Sequence, residues 1–345
     1  MKSEPKEIYS GITSRKYIFI LMMGTAVVLS FILDIMSGPA WLSVREVVLA
    51  LLGLGDSTGH AIVWVIRLPM AAMAVVVGAA LGIAGAEMQT ILDNPLASPY
   101  TLGISAAAGF GAALAFVLGV GVVPFAEEIL VPFNAFFFSF LCCLAIYFIA
   151  NKKKGTTETI VLAGIALLFL FNSMIALLEY IASADELQAV IFWLFGSLSK
   201  ATLPKVAIVF VVLILIIPIF ALDAWKLTAL RLGDNKAKSL GINVEKLRVK
   251  AFVLISILTA TAVCFVGTIG FVGLVAPHIS RMLVGEDQRY FMPLSALGGA
   301  FLLSVASIAS KLVVPGAIFP IGIATSFIGV PFFLFMILRR RRDFW

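Results

Sequence analysis

The chain reads Arg67-Leu-Pro69, then Gly78-Ala-Ala-Leu-Gly-Ile-Ala-Gly-Ala-Glu-Met-Gln89, then Asn94-Pro-Leu-Ala-Ser-Pro99. An apolar segment rich in small residues runs into an elbow with two prolines. Small residues let helix backbones approach closely in lipid, where no hydrophobic force drives helices together. Pro95 and Pro99 each lack a backbone donor, so the elbow must be shielded by protein or wetted by a cavity. This construction is typical of a polytopic membrane protein with a pathway through it.

The composition of the whole chain agrees with that interpretation. Of 345 residues, 61% are hydrophobic and 13% are charged, which is far from the balance of a soluble domain. A helix needs about 20 apolar residues to cross a bilayer. Ten apolar stretches predict ten spans: 17–36, 63–91, 100–121, 131–150, 159–182, 188–198 with 204–222, 251–268, 269–280, 292–311 and 321–338. We therefore expect an all-α integral membrane protein in which residues 1–345 form a single transmembrane domain.

The basic residues give the orientation. With the N-terminus in the cytoplasm, all but five of the 25 Lys and Arg residues lie on the cytoplasmic side. The five exceptions are Arg45, Arg67, Lys200, Lys205 and Lys311. This obeys the positive-inside rule, places both termini in the cytoplasm, and accounts for the net charge of +6 without nucleic-acid binding.

Two kinds of chemistry are not expected. Cys142, Cys143 and Cys264 lie in apolar stretches, and His60 and His278 fall on opposite sides of the membrane, so no metal site is predicted. The sequence also lacks the Gly-x-x-x-x-Gly-Lys-Ser/Thr pattern that cradles phosphates. We predict no cofactor, no catalytic residue and no ATP hydrolysis by this chain, so any energy from ATP must come from a partner.

The longest polar stretch, residues 223–250, is expected to be a cytoplasmic loop with a short helix over 230–241. In that helix Gly233, Ala237 and Leu240 would share one face, since they are spaced by four and three residues. Gly241 can end the helix in the left-handed conformation. A solvated loop helix does not require a small-residue face, so the pattern indicates docking to a soluble partner.

Several further motifs follow in order. They include Trp193-Leu-Phe-Gly-Ser-Leu198, the pair Leu232-Gly233 with Leu240-Gly241, Gly270-Phe-Val-Gly-Leu274 with Pro277-His278 and Arg281, and a closing run from Pro320 to Pro331. Together with the motifs between Arg67 and Pro99, they resemble the permease subunit of type II ABC importers that take up iron-siderophores, haem and vitamin B12. The resemblance extends from about residue 64 to residue 340.

That resemblance implies the partners and the location. Two permease subunits, identical or paralogous, would enclose the pathway in the bacterial-type cell membrane. Two cytoplasmic ABC ATPases would drive transport, and an external binding protein would deliver the ligand. Leu232, Gly233, Ala237, Leu240 and Gly241 would then contact the ATPase.

The chain also departs from the family pattern at three positions on the expected outer rim. Met70 stands where the family usually has a second Arg, and Ile318 stands where it often has an acidic residue. Ala306-Ser307 with Lys311 replaces the common Ala-Asp followed by Arg. These departures bear on the binding-protein contact and the ligand.

Arg67 and Lys311 are candidates for docking the binding protein, because the family places cations at such positions. Rim charges of this kind steer encounter and set register more than they add affinity. The alternative is that both side chains extend to the interface, as Lys and Arg do at helix ends.

Glu87 is costly within a span, where an acidic residue near the centre costs about 2.5–3.5 kcal/mol on insertion scales. With Gln89, Asn94 and Pro95, it is a candidate for lining the translocation pathway. A structural hydrogen bond to a neighbouring helix is the alternative. A second class of function also stays open, namely a secondary transporter driven by an ion gradient, with Glu87 and Asp34 as ion or proton sites.

Overall fold

The computed structural model describes residues 5–38, 42–54, 56–121, 127–152, 157–313 and 317–338. Within these ranges the regular structure is entirely helical. The helices are α1 (Pro5–Met36), α2 (Val44–Leu51), α3 (Ser57–Ala61), α4 (Leu68–Ile91), α5 (Ile104–Leu118), α6 (Glu127–Lys152), α7 (Thr157–Ile181), α8 (Ala184–Leu194), α9 (Leu203–Leu230), α10 (Asp234–Ser239), α11 (Val244–Val266), α12 (Val272–Val284), α13 (Gln288–Leu312) and α14 (Ile321–Leu338). A π-helical segment, Ile62–Arg67, joins α3 to α4.

Seven of the described helices are long and apolar enough to cross a bilayer, and α5, α12 and α14 are shorter apolar helices. The prediction of an all-α membrane protein is therefore confirmed. The exact number of ten spans and the cytoplasmic position of both ends stay predictions. Residues 1–4 and 339–345, which carry part of the charge argument, lie outside the described residues, as do Lys153 and Lys154.

Helix α4 is the centre of the fold. It packs most extensively against α13 and also contacts α9, α11 and α12. Its glycines allow this approach: a Cβ on Gly78 would lie 2.8 Å from the Cα of Ala300, and a Cβ on Gly85 would lie 2.8 Å from the Cα of Gly273. The close backbone approach predicted from the small residues is confirmed at these crossings.

The elbow after α4 is built from local hydrogen bonds. The side chain of Asn94 accepts a bond from the amide of Leu96 at 2.9 Å, and Ser98 and Thr101 bond one another through side chain and backbone. Ser98 and Pro99 are buried, so protein shields this part of the elbow. These bonds supply side-chain partners for backbone groups of the elbow, which lies outside a regular helix.

The predicted sixth span, 188–198 with 204–222, is two helices. A capping box of Ser183 and Glu186 starts α8, and the chain turns at Gly196, whose φ of 72° suits a residue without Cβ. Helix α9 then begins at Leu203 with Pro204 in its first turn and continues to Leu230.

Helices occupy most of the stretch 223–250, whose position as a cytoplasmic loop stays a prediction. Helix α9 extends to Leu230 and α11 starts at Val244, and Asp223 pairs with Lys226 of the same helix at 2.7 Å and with Lys250 of α11 at 2.6 Å. Charged residues therefore lie within the helices. Only residues 231–243 lie between α9 and α11, and they contain α10.

Candidate functional site

At the end of the fold that the basic residues predict to face outwards, a buried ion pair joins α1 to α13. The ammonium of Lys311 lies 2.8 Å from Asp34 Oδ1 and also donates to the backbone carbonyl of Asp34 at 2.9 Å. The hydroxyl of Ser307 donates to the same Asp34 oxygen at 2.9 Å. Lys311 is 5% exposed and Asp34 is fully buried. Ser307 and Lys311, which depart from the family pattern, are therefore complemented by a carboxylate from α1.

Arg67 lies at the same end and completes the last turn of α1. Its guanidinium donates to the carbonyls of Ile35 at 3.1 Å and Met36 at 2.8 Å. These carbonyls have no partner within the helix, so a cation that bonds them acts as a C-terminal cap. Gly38 leaves room for this contact, since a Cβ there would lie 2.8 Å from the guanidinium.

Both cations are buried in the single chain, and their predicted role in docking the binding protein stays a prediction. Arg67 and Lys311 are each 5% exposed. Both side chains donate hydrogen bonds to groups at the end of α1. Met70 is also buried rather than on the rim, whereas Ile318 is 40% exposed. The reason is that α1 packs over α4 and α13 at this end, which the spacing of residues within single helices does not reveal.

Glu87 and Gln89 are fully buried in the last two turns of α4, at the end predicted to be cytoplasmic. Neither carboxylate oxygen of Glu87 has a hydrogen-bond partner among the described residues. Gln89 accepts a bond from Arg281 at 2.7 Å. The alternative of a hydrogen bond from Glu87 to a neighbouring helix is not formed among the described residues. That Glu87 and Gln89 line the pathway stays a prediction.

The elbow residues behave differently. Asn94 and Pro95 are partly exposed, and the Asn94 side chain is folded back onto the elbow backbone. Of the four predicted pathway residues, these two alone present surface outside the chain.

The short cytoplasmic helix is present but smaller than predicted. Gly233 precedes α10 with a φ of 95°, and Gly241 follows it with a φ of 82°. Ala237 is fully buried in the chain's own core, whereas Leu232 is 56% exposed and Leu240 is 50% exposed. The expectation that Gly233, Ala237 and Leu240 form one outward face is therefore wrong, because Gly233 is outside the helix and Ala237 faces inward.

Sequence reasoning missed the polar contacts that gather at the cytoplasmic end of α4. Gln288 donates to Thr90 at 2.7 Å through its side chain and to Thr228 at 3.0 Å through its backbone. It joins α13, α4 and α9 in this way. The sequence signal is a Gln just before the apolar stretch 292–311; once the fold buries such a residue, it must find partners on neighbouring helices.

In the part of the chain that the structure describes, no three His, Cys, Asp or Glu side chains come together as metal ligands. The three cysteines are buried and unpaired with one another.

Comparison with known proteins identifies the family. The family model described as FecCD transport family matches residues 26–339. An ABC transporter permease protein of Methanocaldococcus jannaschii is 38% identical over 96% of this chain and 97% of its own length. The hemin transport system permease protein of Yersinia pestis is 36% identical over 94% and 97%. A solved metal-chelate type ABC transporter in an inward-facing conformation superimposes with a TM-score of 0.83 at 28% identity, over 93% of this chain and 99% of that one.

The helical membrane architecture, the ordered motifs and these relatives lead to one conclusion. This chain belongs to the FecCD transport family and is a multi-pass ABC transporter permease of the cell membrane.

Proposed function

We propose that the chain forms half of the pathway of an ATP-driven importer for an iron-siderophore, haem or a corrinoid. A second permease subunit, two cytoplasmic ABC ATPases and an external binding protein would complete the assembly. The hemin permease and the metal-chelate type transporter named above support this ligand class. The absence of a phosphate-cradling motif from the sequence supports a separate ATPase.

The observation that carries the proposal is the surface of α10. Leu232 and Leu240 flank this helix and are exposed on the side that the basic residues assign to the cytoplasm. Exposed leucines on a polar loop favour contact with a protein partner. In our assignment Leu232 and Leu240 contact the ATPase, Gly233 and Gly241 shape the turns, and Ala237 anchors the helix to the core.

The arrangement of the acidic residues gives no support to a carrier driven by an ion gradient. Asp34 is paired with Lys311 next to Arg67, whereas Glu87 lies twenty residues further along α4. At 1.5 Å per residue, that separation is about 30 Å. The two carboxylates would therefore have to act as separate sites, and Asp34 already pairs with a cation of the chain itself.

A Leu240→Asp variant tests the docking surface. We expect it to reduce copurification of the ATPase and nucleotide-dependent transport, because a charge replaces an apolar contact, while the permease still reaches the membrane. The measurement is the ATPase-to-permease ratio after purification in mild detergent. Leu54→Asp is the matched control, since Leu54 is 71% exposed and lies between α2 and α3 at the opposite end. Equal ATPase recovery from both variants would contradict the assignment of α10.

On the outer face, we assign Arg67 and Lys311 a supporting role in docking. Lys311 holds the end of α1 against α13, and Arg67 holds it against the segment that leads into α4, beneath the surface that the binding protein would contact. This replaces direct pairing with acidic residues of the binding protein, since both cations are occupied within the chain.

We propose that Asn94 and Pro95 at the elbow line the pathway, because they are partly exposed. Labelling at position 87 tests whether Glu87 must be added to them. We expect a Glu87→Cys variant to resist a membrane-impermeant thiol reagent in the nucleotide-free complex, because the position is fully buried. Glu87→Gln should retain stability, since it keeps the side-chain shape and avoids burying an unpaired charge.

The labelling is measured after Cys142, Cys143 and Cys264 have been replaced. A Leu96→Cys variant is the positive control, because Leu96 is 40% exposed at the elbow. Rapid modification at position 87 would contradict this proposal and indicate that Glu87 lines the pathway.

A further inference from the structure

Three arginines from three other parts of the chain hold the cytoplasmic end of α4. Arg281 donates to the Gln89 side chain at 2.7 Å, and Arg248 donates to the Ile91 carbonyl at 2.8 Å. Arg231, at the end of α9, donates to Asp93 just beyond α4. We call Arg231, Arg248 and Arg281 the arginine collar. The C-terminal end of a helix carries partial negative charge, so cations stabilise it there.

Within the collar, Arg248 also holds α10. Its two terminal nitrogens donate to the two carboxylate oxygens of Asp234, each at 2.8 Å. Asp234 is the first residue of α10. The planar guanidinium can bind a carboxylate with two nitrogens and still bond Ile91 with the third, which a lysine ammonium cannot do in the same geometry. One side chain, with 9% of its surface exposed, therefore connects α10 directly to α4.

Arg231 closes the collar on its other side. It bridges Asp93 and Glu286, and Glu286 Oε1 also lies 3.2 Å from Nε of Arg281. Asp93 has a φ of 46°, a conformation that glycine adopts most easily after a helix. Aspartate tolerates this backbone and in addition supplies the carboxylate that binds Arg231.

We propose that Arg248 is a positioning residue that transmits displacement of α10 to the cytoplasmic end of α4. This inference rests on the proposed function, in which α10 contacts the ATPase. Displacement of α10 must carry Arg248 and the end of α4 with it, or break either the two bonds to Asp234 or the bond to the Ile91 carbonyl. Because α4 continues into the elbow at Asn94 and Pro95, the same displacement reaches the proposed pathway residues.

The test measures two displacements in the permease–ATPase complex in nanodiscs. Spin labels at Ser239→Cys and Phe148→Cys report α10, and labels at Leu96→Cys and Phe148→Cys report the end of α4, each relative to α6. The three labelled positions are exposed. Electron-spin distance measurements compare the nucleotide-free complex with the complex trapped by ATP and vanadate.

In the wild-type background we expect both distances to change on trapping. Arg248→Lys keeps the positive charge and removes the planar guanidinium that binds Asp234 through two nitrogens. In this variant the distance change at α10 should persist, and the distance change at the end of α4 should fall several-fold. Asp234→Asn should reduce the distance change at α4 in the same way, because it removes the carboxylate that accepts both bonds from Arg248. Arg289→Lys is the matched control, because Arg289 pairs with Asp287 in its own turn on the same side of the membrane.

The proposal is overturned if the α4 change keeps its wild-type size in both Arg248→Lys and Asp234→Asn. It is also overturned if the wild-type complex shows displacement of α10 without displacement of α4, or shows neither. If the wild-type chain does not bind the ATPase at all, that result contradicts the proposed function itself and is distinguished from the outcomes above by the missing complex.

Discussion

A Lys311→Met variant is expected to lose about 3–5 kcal/mol of stability, because it leaves the carboxylate of Asp34 buried without its cation. Ser307 would then supply the remaining bond to that carboxylate. The measurement is thermal or denaturant unfolding in detergent, and the expected result is a lower midpoint with reduced yield of folded protein. This is the largest single effect that the structure predicts.

The control for this prediction distinguishes the loss of a buried, paired lysine from the loss of an exposed lysine. Lys200→Met removes an exposed lysine on the same side of the membrane and should change stability little. The double variant Asp34→Asn with Lys311→Met should recover much of the loss, because it removes both charges together. If Lys311→Met behaves like Lys200→Met, the pair does not stabilise the contact between α1 and α13.

A Gly85→Ala variant is expected to lose about 1–3 kcal/mol or more, the usual range for overpacking a core. The added Cβ would lie 2.8 Å from the Cα of Gly273, and backbone atoms cannot yield as the end of a flexible side chain can. Helices α4 and α12 would have to separate. The measurements are the unfolding midpoint and the fraction of protein that remains monodisperse in detergent.

The sign of this effect makes the prediction sharp. Alanine is favoured over glycine by about 1 kcal/mol in a helix interior, so an uncrowded helical glycine should be neutral or stabilised on replacement. Gly24 in α1 is the matched control, because a Cβ there meets nothing within 4 Å. Destabilisation of Gly24→Ala equal to that of Gly85→Ala would show that the close approach of α4 and α12 is not the cause.

The class of fold and the family both follow from the amino-acid sequence. Apolar stretches of sufficient length predict helices because a bilayer leaves backbone groups no partner except those within the same segment. The small residues of α4 predict close crossings for an equally local reason, since a missing Cβ is visible in the sequence. The ordered motifs between residues 64 and 340 indicated the permease family, which the comparisons confirmed.

Local sequence was less informative wherever a helix boundary depends on contacts elsewhere. The charges of Asp223, Lys226 and Lys250 suggested a loop. They lie instead at the ends of α9 and α11, where they pair across the two helices. The small-residue spacing around Ala237 suggested an outward face. Ala237 is instead buried in the chain's own core, and the exposed residues Leu232 and Leu240 flank it.

Tertiary structure alone decided the partners of the buried charges. Lys311 meets Asp34 across 277 positions, and Arg248 meets the Ile91 carbonyl across 157 positions. Helical periodicity relates residues three or four apart, so it assigns a charge to a face of its helix and leaves its partner undetermined. The packing of α1 on α13, and of α9, α11 and α12 around the end of α4, brings these groups together. Burial of Asp34, Lys311 and Arg248 is tolerated because this packing supplies their partners.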